Sequence, residues 1–321
     1  MNIITSGSAD GSANGVKPGS EGGAVKKAAI PAASGSSKCS DDSPINTLRI
    51  ARFDMVAEFT EETVLSSFIG NTFRGAFGEA IVRNFCKKSN PDCDDCRHCQ
   101  DCAYFRVYKT AENLHGIKGT TPNPFVLKLP YTARKRTYAA GEALPFSILL
   151  FGSAVRFADD VHTAITDLYH GKLSTLRQRS CEKTNITWSD RGKTVPVDSL
   201  RIRFTTPTRI TQTQEESAPD RFFLPFTNAL FARISLILDL YGESDFVLPC
   251  KLIYRKPKVI SRCDFHNEII KQKEFSFDGI TGTVVMNGDL TKYMPYIALG
   301  QMLHVGKMTT RGCGAYECSV E

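Results

Sequence analysis

Two ferredoxin-like (RRM-like) α+β domains in tandem, each a helix-backed antiparallel sheet, are predicted from three features of the 321-residue chain. Strand-like and helix-like stretches follow the order β-α-β-β-α-β, and that order occurs twice, which favours this architecture over a doubly wound parallel sheet. The strands show period-two alternation, and the helices show apolar residues recurring at helical spacing. Composition is that of an ordinary globular chain, 41% hydrophobic and 10% aromatic, so the chain can bury a sizeable core.

Residues 1–46 are rich in Gly, Ser, Ala and Lys and carry no aromatic residue, so this stretch is expected to be a disordered tail. Its charges cancel, which leaves the net charge of +6 on the folded body. The first domain is placed at 47–195. Ala51, Phe53, Met55, Ala57 and Phe59 alternate with more polar neighbours as a half-buried strand, and Phe73, Phe77, Ile81 and Phe85 mark a helix behind a glycine-rich start. A cysteine-rich insertion occupies 86–105, a Pro- and Gly-rich connection runs from 116 to 130, and a basic patch follows at Arg134-Lys135-Arg136. A buried strand is expected at 144–151 and a helix through Phe157, Val161, Ala164, Ile165 and Leu168, ending at Gly171. Residues 173–194 are polar and basic, with alternation that suggests strands or a hairpin only weakly.

The second domain is placed at 196–321: a strand over 200–210, a helix over 222–241, strands around 248–260 and 280–286, then a helix, a glycine-rich loop and a final strand. The longest apolar run, 143–155, holds Pro145 and Gly152 and is too short to span a bilayer, and the N-terminus does not read as a signal peptide. A cytoplasmic protein with no membrane partner is expected.

Eleven cysteines, five of them between Cys86 and Cys102, read as thiolates held for metal in a reducing compartment. Cys93-x-x-Cys96 can bite one tetrahedral ion, with Cys86 and Cys102 completing a closed structural zinc site and Cys99 as an alternative ligand. The x-x spacing also fits an iron-sulfur cluster in part, but the usual fourth spacing and following proline are absent. A cluster without metal is the third option.

Gly306, Gly312 and Gly314 punctuate a loop that also carries Lys307 and Arg311. Such a loop can follow a phosphodiester backbone, or can simply turn the chain into an edge strand. It matches neither GxxxxGK[ST] nor GxGxxG, so a nucleotide cofactor is not expected. Arg177, Arg179, Lys183, Arg191, Lys193, Arg201, Arg203 and Arg209 face few acids in their stretch, which reads as an RNA groove or as solvated strand edges. Trp188, Tyr131, Tyr138 and Tyr254 lie near these charges, where they either stack on unpaired bases or belong to the core.

LHVGK (303–307), followed by TTRGCGAYE (309–317), resembles the glycine-rich signature that closes RAMP-superfamily proteins. Phe73-Arg74-Gly75-Ala76-Phe77-Gly78 is similar to the start of that family's first helix, and Cys93, Cys96, Cys102 and Tyr104 to a cysteine pattern of its RNA-processing members. With LRIRFTTPTRI and DGITGTVVMNGDL in family order, the body from about residue 48 resembles the sixth Cas family, the endoribonucleases that cut CRISPR repeat RNA into guides. The resemblance implies a reaction without catalytic metal, in which a ribose 2′-hydroxyl attacks the adjacent phosphate and leaves a 2′,3′-cyclic phosphate and a 5′-hydroxyl. It also implies a role in antiviral defence, with repeat or guide RNA and CRISPR effector subunits as partners.

Members of the family place a histidine in or just after the first helix, but 70–85 contains none. The candidates for acid-base work are therefore His304, beside the loop, and His115, after the cysteine cluster, with Lys307. Arg74 and Arg311 are expected to bind phosphate, with Arg134, Lys135, Arg136, Arg201, Arg203, Arg209 and the three loop glycines along the RNA path. The alternative reading is a noncatalytic RNA-binding subunit of an effector complex.

Overall fold

The computed structural model describes residues 45–86, 93, 96, 98–109, 122–191, 195–210, 221–243, 258–272 and 275–321. The first half contains β1 (Thr47–Phe59), β2 (Thr63–Leu65), α1 (Gly70–Phe85), β3 (Phe125–Lys128), β4 (Arg136–Tyr138), β5 (Ala143–Phe151), α2 (Ala158–Thr166) and β6 (Leu176–Ser189). The second contains β7 (Ser199–Thr208), α3 (Phe223–Tyr241), β8 (Ile260–Gln272), β9 (Phe275–Asn287), α4 (Met294–Leu303) and β10 (Tyr316–Val320).

The four-stranded sheets run β3-β5-β1-β6 and β10-β7-β9-β8, with every pair antiparallel. In each, the first strand of the half lies between the third and the fourth, and the two crossovers that skip a strand carry helices. This is the ferredoxin-like arrangement, present twice. The small β2–β4 ribbon is an addition to the first half.

The alternation of β1 decides the packing. Phe53, Met55, Ala57 and Phe59 point to one face and join Phe73, Phe77 and Ile81 of α1 with Val161 and Ile165 of α2 in one core. Leu48 and Ile50 point the other way and join Leu149 and Phe151 of β5 in the core built by α3 and α4. The first sheet thus gives one face to its own helices and one end of the other face to the second half, which fixes the two halves against each other by apolar burial. Helix α3 is long and apolar enough to cross a bilayer, but Phe226, Leu230, Ile234 and Ile237 spend that apolar surface on this core.

Four strands differ from expectation: β3 falls inside the stretch 116–130 expected as a connection, and β6, β8 and β9 differ in extent. The basic stretch taken as short strands or a hairpin is one 14-residue strand, β6, paired along β1 from Thr47↔Ser189 to Phe59↔Leu176. It is an edge strand exposed along most of its length, so backbone pairing rather than an apolar face defines it, and its sequence shows little alternation. The strand expected around 248–260 falls mostly outside the described residues. Its neighbour β8 begins at Ile260 and forms a long hairpin with β9, whereas the expected strand at 280–286 covers only the second half of β9.

Candidate functional site

Helix α1 and the glycine-rich loop meet at one point. A β-carbon on Gly70, the first residue of α1, would lie 1.8 Å from the carbonyl oxygen of Arg311. Only glycine lets the loop backbone rest on the helix start. The first turn of α1 has no acidic residue and no side-chain cap, so the positive end of its dipole faces this junction.

Beyond α4 the loop folds on itself. Val305 N–H donates to the Gly314 carbonyl at 2.9 Å, Cys313 N–H to Met308 at 3.3 Å, Gly312 N–H to Thr309 at 3.0 Å, and Gly314 N–H to Pro207 at 3.2 Å. Gly314 adopts φ 79°, and a β-carbon there would sit 2.0 Å from the Val305 carbonyl oxygen. The expectation that Gly312 and Gly314 touch RNA phosphate is corrected on this geometry: both are buried, with the Gly312 amide committed to Thr309 inside the loop and the Gly314 amide to Pro207 on β7. Gly306 turns the chain against the Arg209 backbone.

Beside this junction lies a shallow cleft lined by Phe68, Gly70, Leu129, Tyr131, Arg311 and Gly312 among others. Its enclosed volume is only about 10 Å3, room for about one water molecule, so it is a surface depression and not a pocket that encloses a nucleotide. The guanidinium of Arg74, one turn into α1, lies 4.5 Å over the Tyr108 ring, and its Nη1 donates to the Tyr108 hydroxyl at 2.9 Å. That hydroxyl donates back to the Arg74 carbonyl at 3.1 Å. Arg311 donates to the Met308 sulfur at 3.2 Å. Burial, followed by the like charge of Arg74, lowers the Arg311 pKa, which places the two cations within electrostatic reach of each other.

Tyr131 carries the cleft wall into the second half of the chain. Its hydroxyl donates to Glu268 Oε2 at 3.0 Å, and the other carboxylate oxygen accepts from Thr281 at 3.3 Å. Burial first, and the Glu268 bond next, raise the Tyr131 pKa above the ordinary tyrosine value. Glu268 and Tyr108 were not singled out from sequence. Each has the look of an ordinary strand or helix residue until the chain folds, and Tyr131 was flagged only as a base-stacking ring.

His304 is not at the cleft surface. It is fully buried, at φ 58°, with Nδ1 3.0 Å from the Cys313 carbonyl oxygen, and burial pushes its pKa down to about 3. A sealed, neutral imidazole cannot exchange protons with RNA, so its expected acid-base role is corrected to that of a structural tie. His115 lies outside the described residues. Lys307 is exposed on the loop.

The remaining basic candidates spread over several faces. Arg134 and Lys135 are exposed in the segment that follows Tyr131, and Arg136 pairs with Glu142 and covers Tyr138. Arg201 donates to Glu321 at 2.6 Å, and Arg209 lies 3.0 Å from Asp278. Arg203 is exposed and sits opposite Glu317 in the β7–β10 register. On β6, Arg177 and Arg179 meet Glu58, and Lys183 meets Asp159 at 2.8 Å. Trp188 and Tyr138 are core residues, one donating to the Pro295 carbonyl at 3.1 Å and the other stacked on Phe59. Tyr254 and Lys193 lie outside the described residues. The structure therefore brings Arg311 near both Arg74 and Tyr131, leaves Arg201 and Arg203 on the second sheet, and sets the Arg209 backbone against the glycine-rich loop.

Among the described residues no group of three or more His, Cys, Asp or Glu side chains is gathered closely enough to hold a metal ion. The cysteines are nonetheless neighbours in part. Burial raises the Cys93 pKa first, and Cys102, Cys86 and Cys96 raise it further, while Cys99 is not among these influences.

A family model described as CRISPR-associated endoribonuclease Cas6 matches residues 202–316, and one described as an N-terminal domain matches residues 48–198. An uncharacterized protein of Archaeoglobus fulgidus is 28% identical over 131 residues, which is 41% of this chain and 44% of that protein. The match thus spans less than half the length of this curated relative. Among solved structures, a partial Cas6-RT-Cas1–Cas2 complex is similar over 85% of this chain and 46% of that one, with TM-score 0.56 and 10% identity. A Cas6 product complex is similar over 85% of this chain and 100% of that one, with TM-score 0.52 and 12% identity. At these identities the structural likeness shows the shared fold.

Proposed function

We propose, from the CRISPR-associated endoribonuclease Cas6 model that matches residues 202–316, that the chain is an endoribonuclease of this kind and cuts CRISPR precursor RNA within its repeats by 2′-hydroxyl attack, producing guide RNA. The observation that carries this reading is that Arg74 and Arg311 lie within electrostatic reach of each other where the glycine-rich loop rests on the start of α1. Two guanidiniums and a helix N-terminus suit a phosphodiester whose charge grows as the phosphorane forms.

The nucleophile is the substrate's own 2′-hydroxyl, so the reaction needs no activated water and no catalytic metal. Arg74 and Arg311 hold the non-bridging oxygens, and Lys307 adds positive charge at the mouth of the loop. His115 is assigned the proton for the leaving 5′-oxygen. Arg134 and Lys135 extend the RNA path away from Tyr131.

Cys86, Cys93, Cys96 and Cys102 are proposed to hold one structural zinc. Cys99 is kept as an alternative ligand. Thiolates kept for metal accord with a cytoplasmic location. Association with other Cas proteins is proposed from the complex in which a similar chain is found.

A second reading, a subunit that binds guide RNA without cutting it, is favoured by one observation: among the described residues, none that lines the cleft is a histidine. Repeat RNA from the protein's own locus, incubated with the protein in EDTA and run on a denaturing gel beside a 2′-deoxy substrate, separates the two. Cleavage of the all-ribose substrate alone establishes the nuclease, and tight binding without cleavage establishes the subunit.

A further inference from the structure

Among the described residues no histidine lines the cleft, and the reaction needs a group to take the 2′-proton. Tyr131 lines that cleft beside Arg311 and Gly312, and its hydroxyl is held at 3.0 Å by Glu268 Oε2 from the other half of the chain. Glu268 is itself oriented by Thr281 through its second oxygen. The Tyr131 ring packs against the cluster of Phe68, Ile270, Phe277 and Cys313, which fixes its direction.

We propose that Tyr131 and Glu268 form a proton relay that serves as the general base of the cleavage reaction. This rests on the nuclease reading above. As the 2′-oxygen forms its bond to phosphorus, the 2′-O–H bond breaks and its proton passes to Tyr131 Oη. The proton of Tyr131 passes in the same step to Glu268 Oε2, so no free phenolate forms. The bond from phosphorus to the 5′-oxygen breaks, and that oxygen takes a proton from the acid assigned above. Glu268 returns its proton to solvent after product leaves. The high proton affinity of Tyr131 is consistent with a group that hands one proton on only as it receives another. Tyr131 is the catalytic residue, and Glu268 is a positioning and accepting residue that acts through it.

The test uses the full-length protein with repeat RNA, and measures single-turnover cleavage and the dissociation constant separately for wild type, Tyr131→Phe and Glu268→Gln. Phenylalanine keeps the ring but not the relay atom. Glutamine keeps an oxygen that accepts from Tyr131, but it cannot take the proton, so a merely structural Glu268 would survive the change. The relay predicts that both variants lose at least about 100-fold in cleavage rate, with RNA affinity within about threefold of wild type. The double variant should be no slower than the worse single one. Either variant cleaving at the wild-type rate overturns the relay and leaves the nuclease reading standing. Wild type that binds without cleaving overturns both.

Discussion

The imidazole Nδ1 of His304 lies 3.0 Å from the carbonyl oxygen of Cys313, joining the end of α4 to the far side of the glycine-rich loop. A carbonyl only accepts, so Nδ1 carries the proton and Nε2 is the unprotonated nitrogen, buried without a protein partner among the described residues. The loop that carries Arg311 is therefore held in shape by a neutral histidine.

This tie has a pH signature. Burial holds the folded pKa of His304 near 3, below the value of 6.5 expected in the unfolded chain. The unfolded state then binds more protons between those values, so the contribution is fully present above pH 6.5 and is lost as pH falls. Its slope is about 1.4 kcal/mol per pH unit within that window. Chemical denaturation between pH 4 and 8 should show this slope in the wild type. It should be flatter in His304→Asn, which keeps a donor for Cys313 and tolerates the positive φ.

Gly70→Ala should displace the loop from α1, because the added methyl has no room beside the Arg311 carbonyl. The expected cost is about 1–3 kcal/mol from thermal or denaturant unfolding. RNA affinity should fall as well, since Arg311 moves with the loop. A variant with wild-type stability and affinity would show that helix and loop are not held in this contact.

Arg74→Ala and Arg311→Ala should each weaken RNA binding and lower the magnitude of the salt slope of log affinity by about 0.7 for single-stranded RNA. Arg74→Lys should recover only part of the loss, because an ammonium does not reproduce the planar contact with Tyr108. Arg179→Ala, whose side chain meets Glu58 on the exposed strand β6, should leave affinity within about twofold. Filter binding at several salt concentrations reads all four.

Metal content separates the cysteines. Elemental analysis of anaerobically purified protein is expected to find about one zinc per chain. Cys93→Ser should abolish it, and Cys99→Ser should leave it unchanged. Equal loss in both would bring Cys99 into the ligand set.

Much of the fold was legible because burial writes itself into sequence at fixed periods. Phe53, Met55, Ala57 and Phe59 announced β1, and Phe73, Phe77 and Ile81 announced α1, since each set must face one core. Strand β6 and the β8–β9 hairpin were harder to read because pairing at an exposed edge satisfies backbone groups without demanding an apolar stripe. The candidate site was legible only where chemistry and chain position coincide, at Arg74 and Arg311.

By itself the sequence determined the paired β-α-β-β-α-β order, the glycine-rich loop beyond the last helix and the cations on either side of their junction. Only the tertiary structure decided that His304 faces the core, that the Gly312 amide bonds within its loop and the Gly314 amide bonds Pro207 of β7, and that Tyr131 meets Glu268, 137 positions away. The reason is physical. Periodicity records which face of an element is buried, whereas burial of one polar side chain, or the meeting of two from different sheets, depends on how whole elements pack.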